Sequence, residues 1–198
     1  MKQPTGLKQT GLTLVELMIA MLLGLFLTAG ALQMMLASRN LNTTTDNSSR
    51  IQENGRFSLT FLARDIRMAA YAPNGEKLEP FITTACVAFN PCTSEAGLGG
   101  SDRIAIQFYP SNNQDCLGND VGNNKVTNLY FIGRANNINS LFCRGYNPDT
   151  NSWYSAPQPL VDGIDNMQIL YGVMNADMQI TRYIPANEVF DWGSVGAV

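Results

Sequence analysis

Glu16 lies five residues into a run, residues 12–36, that holds no other charge. A carboxylate in such a span is costly unless it is neutralised or paired, so its placement points to a charge kept for a partner. Four cysteines follow the span: Cys86, Cys92, Cys116 and Cys143. An even count in a chain that reaches an oxidising compartment suggests two disulfides, and three pairings are open. Cys86 with Cys92, clipping a short loop, and Cys116 with Cys143, tying a polar loop to a strand, are the favoured ones. Two acid pairs, Asp115 with Asp120 and Asp162 with Asp165, offer oxygen ligands of the kind calcium takes. Their spacing matches no EF-hand loop, and solvated turn acids are the commoner case. Nothing in the sequence places any carboxylate pair around a pocket, as glycoside hydrolysis requires. The chain has no histidine, which excludes a Ser-His-Asp triad, a Cys-His nucleophile and histidine-ligated zinc or haem. With no C-x-x-C either, no metal, cofactor or catalytic residue is assigned.

The elements that carry these residues differ in character. Of 198 residues, 45% are apolar and 15% charged, enough for a packed core in one domain with an appendage. The formal charge is −3, and from Glu76 onward 12 acids face 6 bases. That balance disfavours backbone-driven nucleic-acid binding. Trp153 and Trp192 read as core or interface residues rather than sugar platforms.

Residues 1–11 are polar, with Lys2 and Lys8 as their only charges. The 25 residues that follow, as a helix rising ~1.5 Å per residue, reach over ~35 Å and cross a bilayer core. The lysines predict a cytoplasmic leader and an exported remainder. A cleaved secretory signal fits poorly, because the apolar run exceeds the usual ~7–15 residues and no small-x-small site follows it. Gly11-Leu12-Thr13-Leu14-Val15-Glu16-Leu17 resembles the class III signal of type IV pilins and pseudopilins. The resemblance implies cleavage between Gly11 and Leu12 by a prepilin peptidase, N-methylation of Leu12, and a register role for Glu16. In that family the carboxylate is thought to meet the N-terminal amine of a neighbouring subunit. Leucine at Leu12, where many members carry phenylalanine, is a mild departure. Gly24 and Gly30 suit close helix approach or ordinary membrane-helix bending.

Beyond residue 36 the threonines 43–45 and nearby serines predict a weakened or kinked helix. From 51 to 69, Ile51, Gly55, Leu59, Leu62, Ile66 and Ala69 share a face expected to pack on a sheet. Glu53, Arg56, Arg64 and Arg67 lie opposite, with Phe57 and Phe61 beside them as subunit contacts or peripheral core. Pro73-Asn74-Gly75 is the expected stop. The run RIQENGRFSLTFLARDIRMAAY, residues 50–71, resembles the end of the long helix in PilW-type minor pilins.

Alternation predicts strands over 104–109, 126–132, 140–143, 164–173 and, weakly, 189–198, in an antiparallel sheet. The expected fold is α+β and pilin-like: a long N-terminal helix, transmembrane in its first half and amphipathic in its second, packed on that sheet. The division reads as leader 1–11, transmembrane helix 12–36, exported helical half 37–73 and β-rich domain 74–198. DCLGN and LFCRG resemble cysteine-bearing segments of the PilW-like family, which favours Cys116–Cys143 more than Cys86–Cys92. Segments 160–173 and 191–198 resemble a later strand and a tryptophan motif; in the family that motif runs on into a further strand, so the β-rich domain is expected to be truncated at Val198. The resemblance implies a non-catalytic minor pilin that helps prime type IV pilus assembly in the bacterial inner membrane. Its implied partners are the prepilin peptidase, other minor pilins and the major pilin, with a tip adhesin left open. A J-type minor pseudopilin of type II secretion is the alternative within assembly proteins. A signal-anchored periplasmic enzyme or ligand-binding module is the distant one.

Overall fold

The computed structural model describes residues 11, 13–84, 86–97 and 99–198. They form two compact units, Met1–Arg50 and Ile51–Val198. One helix, α1, runs Leu14–Met68.

In the first unit α1 is bare. Its apolar side chains, such as Leu25, Phe26 and Leu27, stand exposed, with no other part of the described residues packed on them. The stretch expected to weaken is continuous helix. Thr43, Thr44 and Thr45 each donate their hydroxyl to the carbonyl four residues back, at 3.0, 2.9 and 2.9 Å. Those bonds satisfy the hydroxyls within the helix, at a slight cost to its stability.

In the second unit the helix meets two antiparallel sheets. Strands β1 (Ile104–Phe108), β2 (Val126–Ala135), β3 (Ile138–Asn147) and β4 (Ser152–Trp153) follow in order, with β5 (Gln158–Asp162) also on β3. The smaller sheet places β6 (Tyr171–Met174) between β7 (Ile180–Ile184) and β8 (Val195–Ala197). The α+β, pilin-like layout is thus present, with two sheets where one was expected.

β2 and β3 are longer than alternation suggests because a two-residue turn joins them. Ala135 pairs with Ile138, and Asn136 and Asn137 both have positive φ, 48° and 67°. That is the type I′ hairpin geometry asparagine tolerates. The strand expected over 164–173 is shortened to β6. Residues before it bond instead to a loop: Ser101 Oγ accepts from Met167 N at 3.0 Å, and Asp102 Oδ2 accepts from Ile169 N at 2.8 Å. Side chains that capture backbone donors in this way displace a strand ladder. The last predicted strand is reduced to β8, preceded by the short 3-10 turn Trp192–Ser194.

Both faces of the larger sheet are covered. Ile104, Ile106 and Tyr130 face a core to which Phe61, Leu62, Ile66 and Ala69 of α1 contribute. Ala105 and Leu129 face the other way, onto Cys86, Cys92 and Phe89. Residues 86–94, for which the sequence offered little reading, therefore cover the sheet's second face.

The helix face differs from the expected one. Ile51 and Leu59 are exposed, whereas Asn54 and Phe61 are half-buried and Ser58 and Asp65 are buried. The stripe Asn54, Ser58, Phe61, Leu62, Asp65, Ile66, Ala69 keeps helical spacing but includes three polar residues that an apolar pattern search discards. The helix also stops earlier, at Met68. Ala70 takes φ 61°, and its N–H donates to Gln107 O at 2.9 Å. Tyr109 N donates to Tyr71 O at 2.9 Å, so the chain leaves the helix by joining the end of β1.

Candidate functional site

Of the residues singled out at the N-terminus, Glu16 sits on the first turn of α1. Gly11 is exposed. Leu12 and the lysines Lys2 and Lys8 of the leader lie outside the described residues. Thr13 Oγ1 accepts a hydrogen bond from Glu16 N at 3.3 Å. Thr13-x-x-Glu16 is therefore also a helix start of the capping-box kind, a signal readable from T-x-x-E alone. Glu16 then has two physical consequences. Its backbone N–H is satisfied by the Thr13 hydroxyl, and its carboxylate is favoured beside the positive end of the helix dipole. Further along, Thr28 Oγ1 donates to Gly24 O and Leu25 O, both at 3.0 Å, which satisfies the hydroxyl within the helix. No atom would meet a Cβ at Gly24 or Gly30.

α1 is long and apolar enough to cross a membrane, and its most apolar window is wholly unburied. An apolar helix with no partner inside its own fold needs lipid or neighbouring helices around it.

In the second unit the structure joins Cys86 to Cys92, with Cα atoms 5.8 Å apart, and Cys116 to Cys143, with Cα atoms 6.4 Å apart. The second lies close to the tie between helix and sheet. Asp65 is 1% exposed. Its Oδ2 accepts from Asn128 Nδ2 and from Tyr130 Oη, each at 2.6 Å. Its Oδ1 accepts from Arg64 Nε at 3.0 Å. Asn128 Oδ1 in turn accepts from Cys116 N at 3.2 Å. A chain of contacts thus runs from α1 through β2 to the disulfide. Burial, with the Asp65 charge next in weight, raises the Tyr130 hydroxyl well above its ordinary pKa, so it stays a donor. The pattern RDIR did not show that its aspartate would be the buried residue.

The acid pairs do not converge. Asp115 is buried and spends its oxygens on Leu117 N, Asn119 N and Asn119 Nδ2, at 2.8, 2.9 and 2.7 Å. Asp120 accepts from Gly122 N. Asp162 accepts from Ser140 Oγ and Asp165 from Asn139 Nδ2. Among the described residues no group of three or more acids and cysteines has metal-site spacing. The tryptophans pack: Trp192 against Tyr171 and Phe81, Trp153 against Tyr146 and Phe89 with its Nε1 donating to Val87 O.

A surface network missing from the sequence reading joins the post-helix segment to β2. Lys125 Nζ pairs with Glu76 Oε1 at 2.8 Å and Asp149 Oδ1 at 3.3 Å, while Tyr109 Oη donates to Glu76 Oε2 at 2.7 Å. The hydrogen bonds from Lys125 and then Tyr109 lower the Glu76 pKa, and the bond to Glu76 raises that of Lys125.

Comparison with known proteins agrees with both ends of this description. Residues 129–198 match the family described as Type IV Pilus-assembly protein W. Residues 6–32 match the Prokaryotic N-terminal methylation motif, which spans Gly11, Leu12 and Glu16. No curated protein and no solved structure matches the chain. With a bare apolar helix under one match and antiparallel strands under the other, the chain is similar to PilW-type, type IV pilin-like proteins at both ends.

Proposed function

We propose that this minor pilin of type IV pilus assembly acts by priming the filament in the bacterial inner membrane. The observation that carries the reading is a bare apolar helix whose first turn holds one carboxylate, on a chain whose β-rich part matches the pilus-assembly family. Cleavage after Gly11 by a prepilin peptidase frees the Leu12 amine, which is then methylated. Glu16 meets the amine of a neighbouring subunit when the helices bundle. A charge in lipid is stabilised only by that contact, so it sets register at assembly rather than in the monomer. The cystine-bearing domain is exported and selects among other minor pilins and the major pilin. We assign the chain no catalytic step.

The test is deletion in the native host, complemented with wild type or Glu16→Leu. Deletion is expected to strip surface pili and wild type to restore them. Glu16→Leu is expected to accumulate in the membrane without restoring pili. Normal piliation combined with lost protein secretion would instead identify a secretion pseudopilin.

A further inference from the structure

A small pocket lies where the chain leaves α1 and meets the loop between β1 and β2. It holds about 240 Å³, and the residues lining it all fall between Tyr71 and Asn124. Tyr71 and Tyr109 form part of the lining together with Pro73 and Pro110. Ser111, Asn113, Asn123 and Asn124 supply its polar part. Tyr71 is 48% exposed, and Ser111, Asn113 and Asn123 are exposed as well. The loop's other asparagines are spent on the loop itself: Asn112 on Gln114, Asn119 on Asp115 and Asn124 on Val121 O. Asn113 and Asn123 are left with no side-chain partner among the described residues.

The pocket is built from anchored parts. Tyr109 Oη donates to Glu76 Oε2 at 2.7 Å, and Lys125 Nζ donates to Glu76 Oε1 at 2.8 Å. Tyr109 N donates to Tyr71 O at 2.9 Å, which ties the two tyrosines together. Across the loop, Asn113 O accepts from the N–H of buried Val121 at 2.9 Å. The Cys116–Cys143 bridge fastens the same loop to β3. A ligand therefore has little left to order, which lowers the cost of binding. Among the described residues no charged side chain lines the pocket. The charges beside it, Glu76 and Lys125, are paired with each other.

We propose that this pocket binds one ring of a neutral carbohydrate. A sugar ring has a C–H face and a rim of hydroxyls, each able to donate and to accept. Tyr71 and the prolines meet the C–H face. The amides of Asn113 and Asn123, each with a donor and an acceptor end, meet the rim together with the Ser111 hydroxyl. An uncharged lining offers nothing to a phosphate or carboxylate. The volume lies below the ~300–1,000 Å³ of sites for drug-sized ligands, so a nucleotide is too large and a single ring fits. A wholly apolar ring, such as a peptide's aromatic side chain, would cover the two free amides without bonding them, at a cost. The inference does not depend on the priming reading.

The experiment uses the full chain in phospholipid nanodiscs free of glycolipid, and saturation-transfer NMR. The probes are glucose, galactose, mannose, N-acetylglucosamine and N-acetylgalactosamine. Saturating the protein is expected to transfer to the ring C–H protons of at least one of them. Tyr71→Ala should abolish the transfer, and Asn123→Ala should raise the dissociation constant roughly 2–10-fold, the worth of one hydrogen bond. Glucuronic acid should bind no more tightly than glucose. No transfer to any of the five sugars would overturn the proposal. So would transfer that survives Tyr71→Ala, an affinity indifferent to Asn123→Ala, or a preference for the charged sugar. Asn123 is exposed on a loop, so its variant decides the matter if Tyr71→Ala fails to fold. The readout is sugar binding by the isolated chain, which a failure of the priming test would leave unchanged.

Discussion

Asp65 shows how one side chain selects a helix face. By apolar spacing alone Leu59 belongs inside and Asp65 outside; the structure has the reverse. The carboxylate lies against Asn128 and Tyr130, and burying it works because three donors reach it. Asp65→Ala leaves a buried amide and hydroxyl unpartnered, and should cost about 3 kcal/mol in urea unfolding of the second unit. Tyr130→Phe removes one bond to a charged acceptor and should cost about 1.5–3 kcal/mol. Glu76 gives a pH prediction. Its folded pKa is lowered, so its contribution is present above its ordinary value of 4.5 and fades as pH falls through the lowered one. Lys125 is raised, so its share is present below 10.5 and fades as pH rises through the raised value. Unfolding midpoints should therefore fall at both pH extremes, and Glu76→Gln should flatten both limbs. Glu16 stands out in the sequence because a charge among apolar residues is conspicuous. Asp65 was not, because its partners lie more than sixty residues away.

At the scale of elements, local pattern located β1, β2 and β3 but not their ends. Their interiors are apolar, which composition reveals, while their ends are set by turns. Asn136-Asn137 extends the hairpin by several residues, and two asparagines between apolar runs were the available signal. β5 and β7 were missed, since β5 carries a proline and β7 is exposed over most of its length. Gly145 of β3 offers a test of packing. A Cβ there would collide with the Asp115 side chain, whose carboxylate organises the turn next to Cys116. Gly145→Ala should destabilise the second unit by about 1–3 kcal/mol through overpacking. Removing the Cys116–Cys143 bridge with Cys116→Ser and Cys143→Ser should cost about 2–4 kcal/mol, read as a lower thermal midpoint.

At the scale of the whole molecule, the chain is a membrane-anchored, pilus-associated protein with two units of opposite solvent preference. The first exposes apolar surface along its helix, and the second closes its own core and two disulfides. The long apolar run with its single charge and the even cysteine count were legible, because they are global properties that no tertiary contact rearranges. Glu16→Leu should leave the thermal unfolding of the second unit within about 0.5 kcal/mol of wild type, as expected for a residue outside that fold, while pilus incorporation is lost. The central claim, that this chain is a processed pilin-like subunit, is tested most directly by its intact mass after purification from host membranes. The account predicts a chain that begins at Leu12 and carries one methyl group. A mass corresponding to an unprocessed chain beginning at Met1 would contradict it.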